Sequence, residues 1–257
     1  MSGLAGPPVT AVLLDYGLTL VTYRRPDTAL ARVHAEISEL LARRLGVDVP
    51  AGARLLRAVH DVVEAAVAAH EREGGVEEID LEPVTAAAYR DLGLELPAEV
   101  LDEVRDLEQQ AWVEGMIVTP DAVPTLRVLR RHGIRLGLVS NAPYRAASMR
   151  AQLELLGLRS LLDAAVFSSE VGWRKPAPQI FERALSALGA RPESTLMVGD
   201  RGREDVDGAH AAGMRAALLR EHWCDPGGET PPDAVLDRLA AVVPLVAPDA
   251  RHDGFHS

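Results

Sequence analysis

A single cysteine, Cys224, in 257 residues excludes an internal disulfide. Basic side chains are in deficit, 27 against 38 acidic, and the net charge of −11 argues against a general nucleic-acid or anionic-membrane surface. A local cluster can still bind a small anion. No run reaches the ~18 uninterrupted apolar residues of a membrane-spanning helix, because Asp15 interrupts the longest early one. The opening "MSGLAGPPVT" lacks the basic and apolar regions of a signal peptide, so the cytoplasm is the expected compartment. Aromatic residues are only 4% of the chain, a compositional bias that excludes little. There is neither an internal repeat nor a low-complexity tract. What is abundant is aliphatic: 47% hydrophobic residues, enough to bury a substantial core in one large domain or a domain with an insertion.

Five short runs stand out: "AVLLD" (11–15), "RLGLVS" (135–140), "DAAVFSS" (163–169), "TLMVGD" (195–200) and "RAALLR" (215–220). Runs this short without strict alternation fit strands buried on both faces, and helical periodicity separates the last four. The order predicts an α/β fold with a parallel sheet and right-handed crossovers. Between Val21 and Thr119 lie about a hundred residues, too many for an ordinary crossover. They read as amphipathic helices over 27–45, 52–73, 83–92 and 97–113, an inserted helical unit. A further helix is expected around 233–243, and the first eight residues and "APDARHDGFHS" read as frayed ends.

Ligands of open α/β sheets bind outside the carboxyl ends of the strands. Four of the five runs lead there to polar residues: Asp15; Ser140 with Asn141; Lys175 after a short loop; Asp200 with Asp205 nearby. Each alone has an ordinary explanation. An aspartate after a strand commonly caps a turn or helix, the same suits Ser140 and Asn141, and a lone lysine is usually a solvated charge. Together they offer two acids for a metal, a hydroxyl and an ammonium for an oxyanion, and one acid to attack.

The segments "VLLDYGLTL", "GLVSN", "GWRKPAPQIFERAL" and "MVGDRGREDVDGAHAAGM", in this order and spacing, resemble the four motifs of the haloacid dehalogenase superfamily. The resemblance runs from about residue 11 to 220 and implies a Rossmann-like core, 1–22 and 119–257, with a helical cap, 23–118, inserted after the first strand. It implies a Mg²⁺-dependent phosphatase that works through an aspartyl-phosphate. Asp15 would be the nucleophile and Lys175 the charge-neutralising cation. Ser140 and Asn141, with the amides around Tyr16 and Gly17, would hold the phosphate. The metal would take Asp15, the Gly17 backbone carbonyl, Asp200 and Asp205, the last as ligand or orienter of water. Gly199 would let the turn pass close to the metal. The implied partner is a small phosphorylated or anionic substrate, with no nucleic acid or membrane, and the chain a monomer or homodimer.

One departure stands in the first motif. Phosphatases of this superfamily usually carry a second aspartate two residues after the nucleophile, where this chain has Gly17. Losing that general acid/base costs roughly 10²–10⁴ in rate unless something compensates. Tyr16, Tyr144 and His34 are candidate substitutes, each with a plainer reading: Tyr16 packs, Tyr144 caps its helix face, His34 is solvated. The alternatives are hydrolysis of an activated substrate, an acyl phosphate or a halide, and a phosphate-binding or regulatory module. The paired acids in "GDRGRED" weigh against dehalogenation, which needs no metal. In the helical insert, Arg24 and Arg25 read as solvated charges, Trp112 and Trp173 as packing residues, and "EREGGVEEID" as a turn between helices.

Overall fold

The computed structural model describes residues 4–222 and 224–247. Its centre is a six-stranded parallel sheet of β1 (Ala11–Leu14), β4 (Arg135–Ser140), β5 (Ala164–Phe167), β6 (Thr195–Gly199), β7 (Arg215–Leu219) and β8 (Ala234–Leu236), in the order β5-β4-β1-β6-β7-β8. Two further strands, β2 (Val21–Tyr23) and β3 (Met116–Val118), pair antiparallel as a separate ribbon. Between them lie α1 (Asp27–Leu45), α2 (Gly52–Leu55), α3 (Asp61–Glu73), α4 (Leu81–Arg90) and α5 (Ala98–Ala111). After the ribbon come α6 (Ala122–Arg131), α7 (Ala146–Leu155), α8 (Ser168–Val171), α9 (Pro178–Leu188), α10 (Gly208–Ala211) and α11 (Val243–Val246). No helix among the described residues is long and apolar enough to cross a membrane.

The aliphatic run of β1 is buried throughout because successive side chains alternate between faces that are both covered. Val12 and Leu14 pack with α6 and α7 through Leu126, Leu129 and Leu153. Ala11 and Leu13 pack on the other side with α9 through Ile180, Phe181 and Leu188. The sheet is therefore the middle of three layers, with β1 flanked on both edges by paired strands. The α1–α5 helices enclose a third apolar cluster of their own, built on Leu30, Ile37, Leu41, Leu55, Tyr89 and Leu101.

Several expectations are corrected. The helix expected around 233–243 is instead edge strand β8, a 3-10 turn over Leu239–Val242 and the short α11, because Ala234–Leu236 finds a free edge of β7. The helix expected over 52–73 is interrupted by a π-helical turn, Leu56–His60. Of the first eight residues, Ala5 and Pro7 are tied down by their carbonyls, which accept from the Arg215 guanidinium. Residues 1–3 and 248–257 of the expected frayed ends lie outside the described residues. Arg25 pairs with Asp27 and Asp61.

His34 is buried, not solvated. Its Nδ1 lies 2.8 Å from the Leu30 carbonyl and its Nε2 3.5 Å from Glu108, while Nδ1 of buried His60 lies 2.6 Å from the same carboxylate. Burial pushes the Glu108 carboxyl up, but the two imidazoles overcome it and hold it down at about 2. A depressed carboxyl stabilises the fold above its unfolded pKa, near 4.5, and loses that contribution as the pH falls toward 2. His60 has the opposite sense. Its pKa is raised because the Glu108 bond outweighs burial, so its contribution is present below about 6.5 and lost above the folded value. Glu108→Gln is therefore expected to cost about 3 kcal/mol at pH 6 and progressively less below pH 4. Chemical denaturation across that range checks it, and a cost that does not change with pH would remove the ion-pair account.

Candidate active site

The register of the sheet brings three strand ends together. Leu14 pairs with Leu138 of β4 and with Val198 of β6, so the residues just beyond these strands share one crevice. Asp15, Ser140 and Asp200 arrive there by topology alone, and all three are buried. Lys175 comes from the loop between α8 and α9. Its N–H donates to Asn141 Oδ1 at 2.7 Å and its carbonyl accepts from Asn141 Nδ2 at 3.1 Å. The Asn141 carboxamide thus holds the lysine's backbone. Lys175 Nζ then donates to Asp15 at 2.5 Å and to Asp205 at 2.6 Å.

Asp205 lies on a π-helical turn, Gly202–Asp207, and turns back against β6. A Cβ on Gly199 would sit 2.1 Å from Asp205 Oδ2, so glycine is required there to make room for this carboxylate. Both oxygens of Asp205 are engaged, Oδ1 by Lys175 and Oδ2 by the Arg201 amide at 2.9 Å.

Two carboxylates therefore share one ammonium, and a third, Asp200, lies close enough to act on them. Burial is the main cause that raises the Asp15 carboxyl; Lys175 opposes it and Asp205 adds to it. Burial, then Asp15 and Asp205, push Asp200 up to about 7. For Lys175 burial acts downward, but the two aspartates prevail and raise it, so it remains an ammonium. Asp200 Oδ2 is buried without any hydrogen-bond partner, an arrangement whose cost a cation would remove. The Gly17 carbonyl accepts no hydrogen bond from the described residues. Among the described residues no three His, Cys, Asp or Glu side chains enclose a metal by themselves. Mg²⁺ needs fewer, because it takes one or two carboxylates and keeps several waters. The residues present fit such an ion.

The cleft that Asp15, Ser140, Lys175, Asp200 and Asp205 line has a volume of about 80 Å³. Ser140 makes no side-chain hydrogen bond within the described chain and opens to it. The turn after β1 shapes its outer side. Leu18, at φ 59°, occupies the left-handed region that favours glycine and donates its N–H to Val21 at 2.7 Å. That turn carries the chain into β2, where Tyr23 lies over Gly17: a Cβ on Gly17 would meet Tyr23 Cε1 at 3.1 Å. A side chain at position 17 would press on the edge of this ring.

None of the three candidate substitutes for that acid faces Asp15. Tyr16 Oη donates to Gln152 at 2.9 Å, Tyr144 Oη donates to Glu64 at 2.9 Å, and His34 lies in the helical core beside Glu108. Tyr23, Arg174, Arg201 and Glu71, which also line the cleft, were not singled out from sequence. For Tyr23 the available signal was the turn length that folds β2 back over Gly17. The stretch expected as a turn, "EREGGVEEID", also docks on the sheet side. Glu78 there is bonded by Ser168 Oγ and by Arg174, and its N–H donates to Gly172 at 3.0 Å.

A parallel Rossmann-like sheet with a carboxylate at the tip of its central strand, clasped by a buried lysine and flanked by a second acid-bearing strand end, defines a hydrolase of the α/β class. The sequence model of the haloacid dehalogenase-like hydrolases matches residues 9–213, and the chain belongs to that family. The chain is 40% identical over 101 residues to a glyceraldehyde 3-phosphate phosphatase of Methanopyrus kandleri, covering 39% of this chain and 42% of the relative. To a ribulose-1,5-bisphosphate 5-phosphatase of Halopiger xanaduensis it is 33% identical over 135 residues, covering 52% and 54%. It thus spans about half the length of the curated relatives it matches. A 2-haloacid dehalogenase of Pseudomonas syringae pv. Tomato shares the fold, with a TM-score of 0.63 at 22% identity over 94% of this chain and 100% of that one.

Proposed function

We propose that the chain is a Mg²⁺-dependent phosphatase that acts on a small phosphorylated metabolite through an aspartyl-phosphate on Asp15. The observation that carries this reading is the buried, unpartnered Asp200 oxygen beside Asp15, a place built for a cation that a dehalogenase would not need. The phosphatase names of the relatives support it. Asp15, Asp200 and the Gly17 carbonyl would hold the ion, with Asp205 orienting its water. Bound there, Mg²⁺ supplies positive charge to the transferring phosphoryl oxygens.

The chain's own groups account for the remaining steps. Asp15 attacks phosphorus, forming a carboxylate O–P bond as the ester P–O bond breaks. Lys175 keeps Asp15 ionised and offsets its repulsion of the phosphate, and the Ser140 hydroxyl donates to a phosphoryl oxygen. Water then attacks the acyl phosphate and restores Asp15. Residues 23–118 act as the cap that covers the cleft, with Glu78 as its contact on Ser168 and Arg174.

Proton delivery to the leaving alcohol is the weak step. Gly17 carries no acid, Tyr16 and Tyr144 donate elsewhere, and the Tyr23 phenol beside Gly17 is held above its ordinary value by burial, so no carboxyl delivers the proton. This favours substrates whose leaving group needs none, which keeps acyl phosphates as the second reading. The test is phosphate release from alkyl, aryl and acyl phosphates with Mg²⁺ or EDTA. Release is expected with Mg²⁺ alone, with acyl and aryl phosphates ahead of alkyl esters by about 10²-fold. Gly17→Asp, accommodated by a small shift of the Tyr23 ring, is expected to narrow that gap. No release from any of the three classes with Mg²⁺ present would overturn the proposal.

A further inference from the structure

A second cavity, about 250 Å³, opens from the cleft and shares Gly17, Tyr23, Ser140 and Asn141 with it. A substrate whose phosphate sits against Ser140 therefore extends its organic part into this space. Its wall concentrates what the chain otherwise lacks: three of the four tyrosines, Tyr16, Tyr23 and Tyr144, together with Trp112. No lysine, arginine or histidine lines it; the charged residues are Glu64 and Glu71.

These two acids are not equivalent. Glu71 lies 3.6 Å from the Arg174 guanidinium, which answers its charge. Glu64 accepts one hydrogen bond, from Tyr144 at 2.9 Å, and its other oxygen has no partner among the described residues. The two glutamine carboxamides of the wall are engaged within the chain. Gln152 accepts from Tyr16 and donates to the Gln109 carbonyl, and Gln109 donates toward Met149. A second phosphate or a carboxylate would face acids with no cation in the wall. An ammonium group meets a carboxylate oxygen without a hydrogen-bond partner and aromatic side chains, the two kinds of group that bind such cations.

We infer that the cavity selects a phosphate monoester of a small amino alcohol, its nitrogen primary or quaternary, with Glu64 and the aromatic wall receiving the ammonium. The inference rests on the phosphatase reading for the ester end, while the ammonium end stands on the cavity alone.

The test uses the full chain with Mg²⁺. Binding of phosphoethanolamine, phosphocholine, glycerol 3-phosphate and 2-phosphoglycolate is measured by calorimetry, and phosphate release is followed in parallel, for wild type and Glu64→Gln. At least one amine ester is expected to bind roughly ten-fold or more tighter than glycerol 3-phosphate. That ratio is expected to collapse toward one in Glu64→Gln, which keeps an acceptor for Tyr144. Tyr144→Phe, which frees Glu64 without removing its charge, should retain part of the preference. Equal binding of amine and non-amine esters, or a preference unchanged in Glu64→Gln, overturns the inference. Selective binding with no phosphate release from these esters or from aryl and acyl phosphates sinks the phosphatase reading and leaves the ammonium site standing. Release without selectivity does the reverse.

Discussion

Asp15→Asn is expected to lower phosphate release by about 10⁴-fold or more while leaving the protein as stable as wild type or more so. The two effects have one cause. Asp15 shares a buried site with Asp200 and Asp205 and a single ammonium, and its carboxyl is raised above its ordinary value by burial. A raised carboxyl is costly wherever it must ionise, so its contribution at neutral pH is destabilising. The neutral amide removes that cost along with the nucleophile. A gain of about 1 kcal/mol corresponds to roughly 2–4 °C in a chain of this size. Phosphate release and a thermal melt without metal read the two effects separately. A variant within ten-fold of wild type would exclude Asp15 as nucleophile, and a melt several degrees lower would mean that the bond to Lys175 outweighs the crowding.

Lys175→Met is expected to fail in both respects. It removes the ammonium bonded to Asp15 and Asp205, leaving Arg201 as the cation that acts on Asp200, and breaking a buried pair in this way costs about 3–5 kcal/mol, roughly 10 °C here. The penalty depends on ionisation. With Asp200 titrating at about 7 and Asp15 also raised, protonation relieves much of the repulsion as the pH falls toward 5. The gap in melting temperature between wild type and variant should therefore be wide at pH 8 and narrow at pH 5. A gap of equal size at both would show that shape, and not charge, is what Lys175 supplies. Mg²⁺ should recover part of the loss at pH 8 and leave activity low, because it replaces charge near Asp200 but not the donor that fixes Asp15.

The strands that build the cleft were legible because burial on both faces leaves a local mark, a short aliphatic run with a polar residue at its end. Asp15, Ser140, Lys175, Asp200 and Asp205 were all marked by that pattern, and the roles expected of them came from the motif resemblance. What escaped depends on contacts distant in sequence. The edge strand Ala234–Leu236 has the composition of a helix and becomes a strand only because β7 offers it an edge. His34 looks like one more polar residue on an amphipathic helix until Glu108, in another helix, gives it a buried partner. The bond of the Asn141 carboxamide to a backbone 34 residues away was equally out of reach of local pattern. Tyr23 was hidden for a similar reason. Its position over Gly17 comes from a turn containing a left-handed leucine, a conformation that local propensity argues against.

The paired ribbon of β2 and β3 has a mechanical meaning of its own. The chain leaves the sheet domain and returns to it along two strands that are bonded to each other, Val21 to Val118 and Tyr23 to Met116. A double tether resists independent twisting of its two arms. It is joined by a second link, because Arg145 at the start of α7 pairs with Asp102 and Asp106 of α5. Tyr23 is part of the ribbon, so the strand that connects helices to sheet also carries the ring that lies beside Gly17.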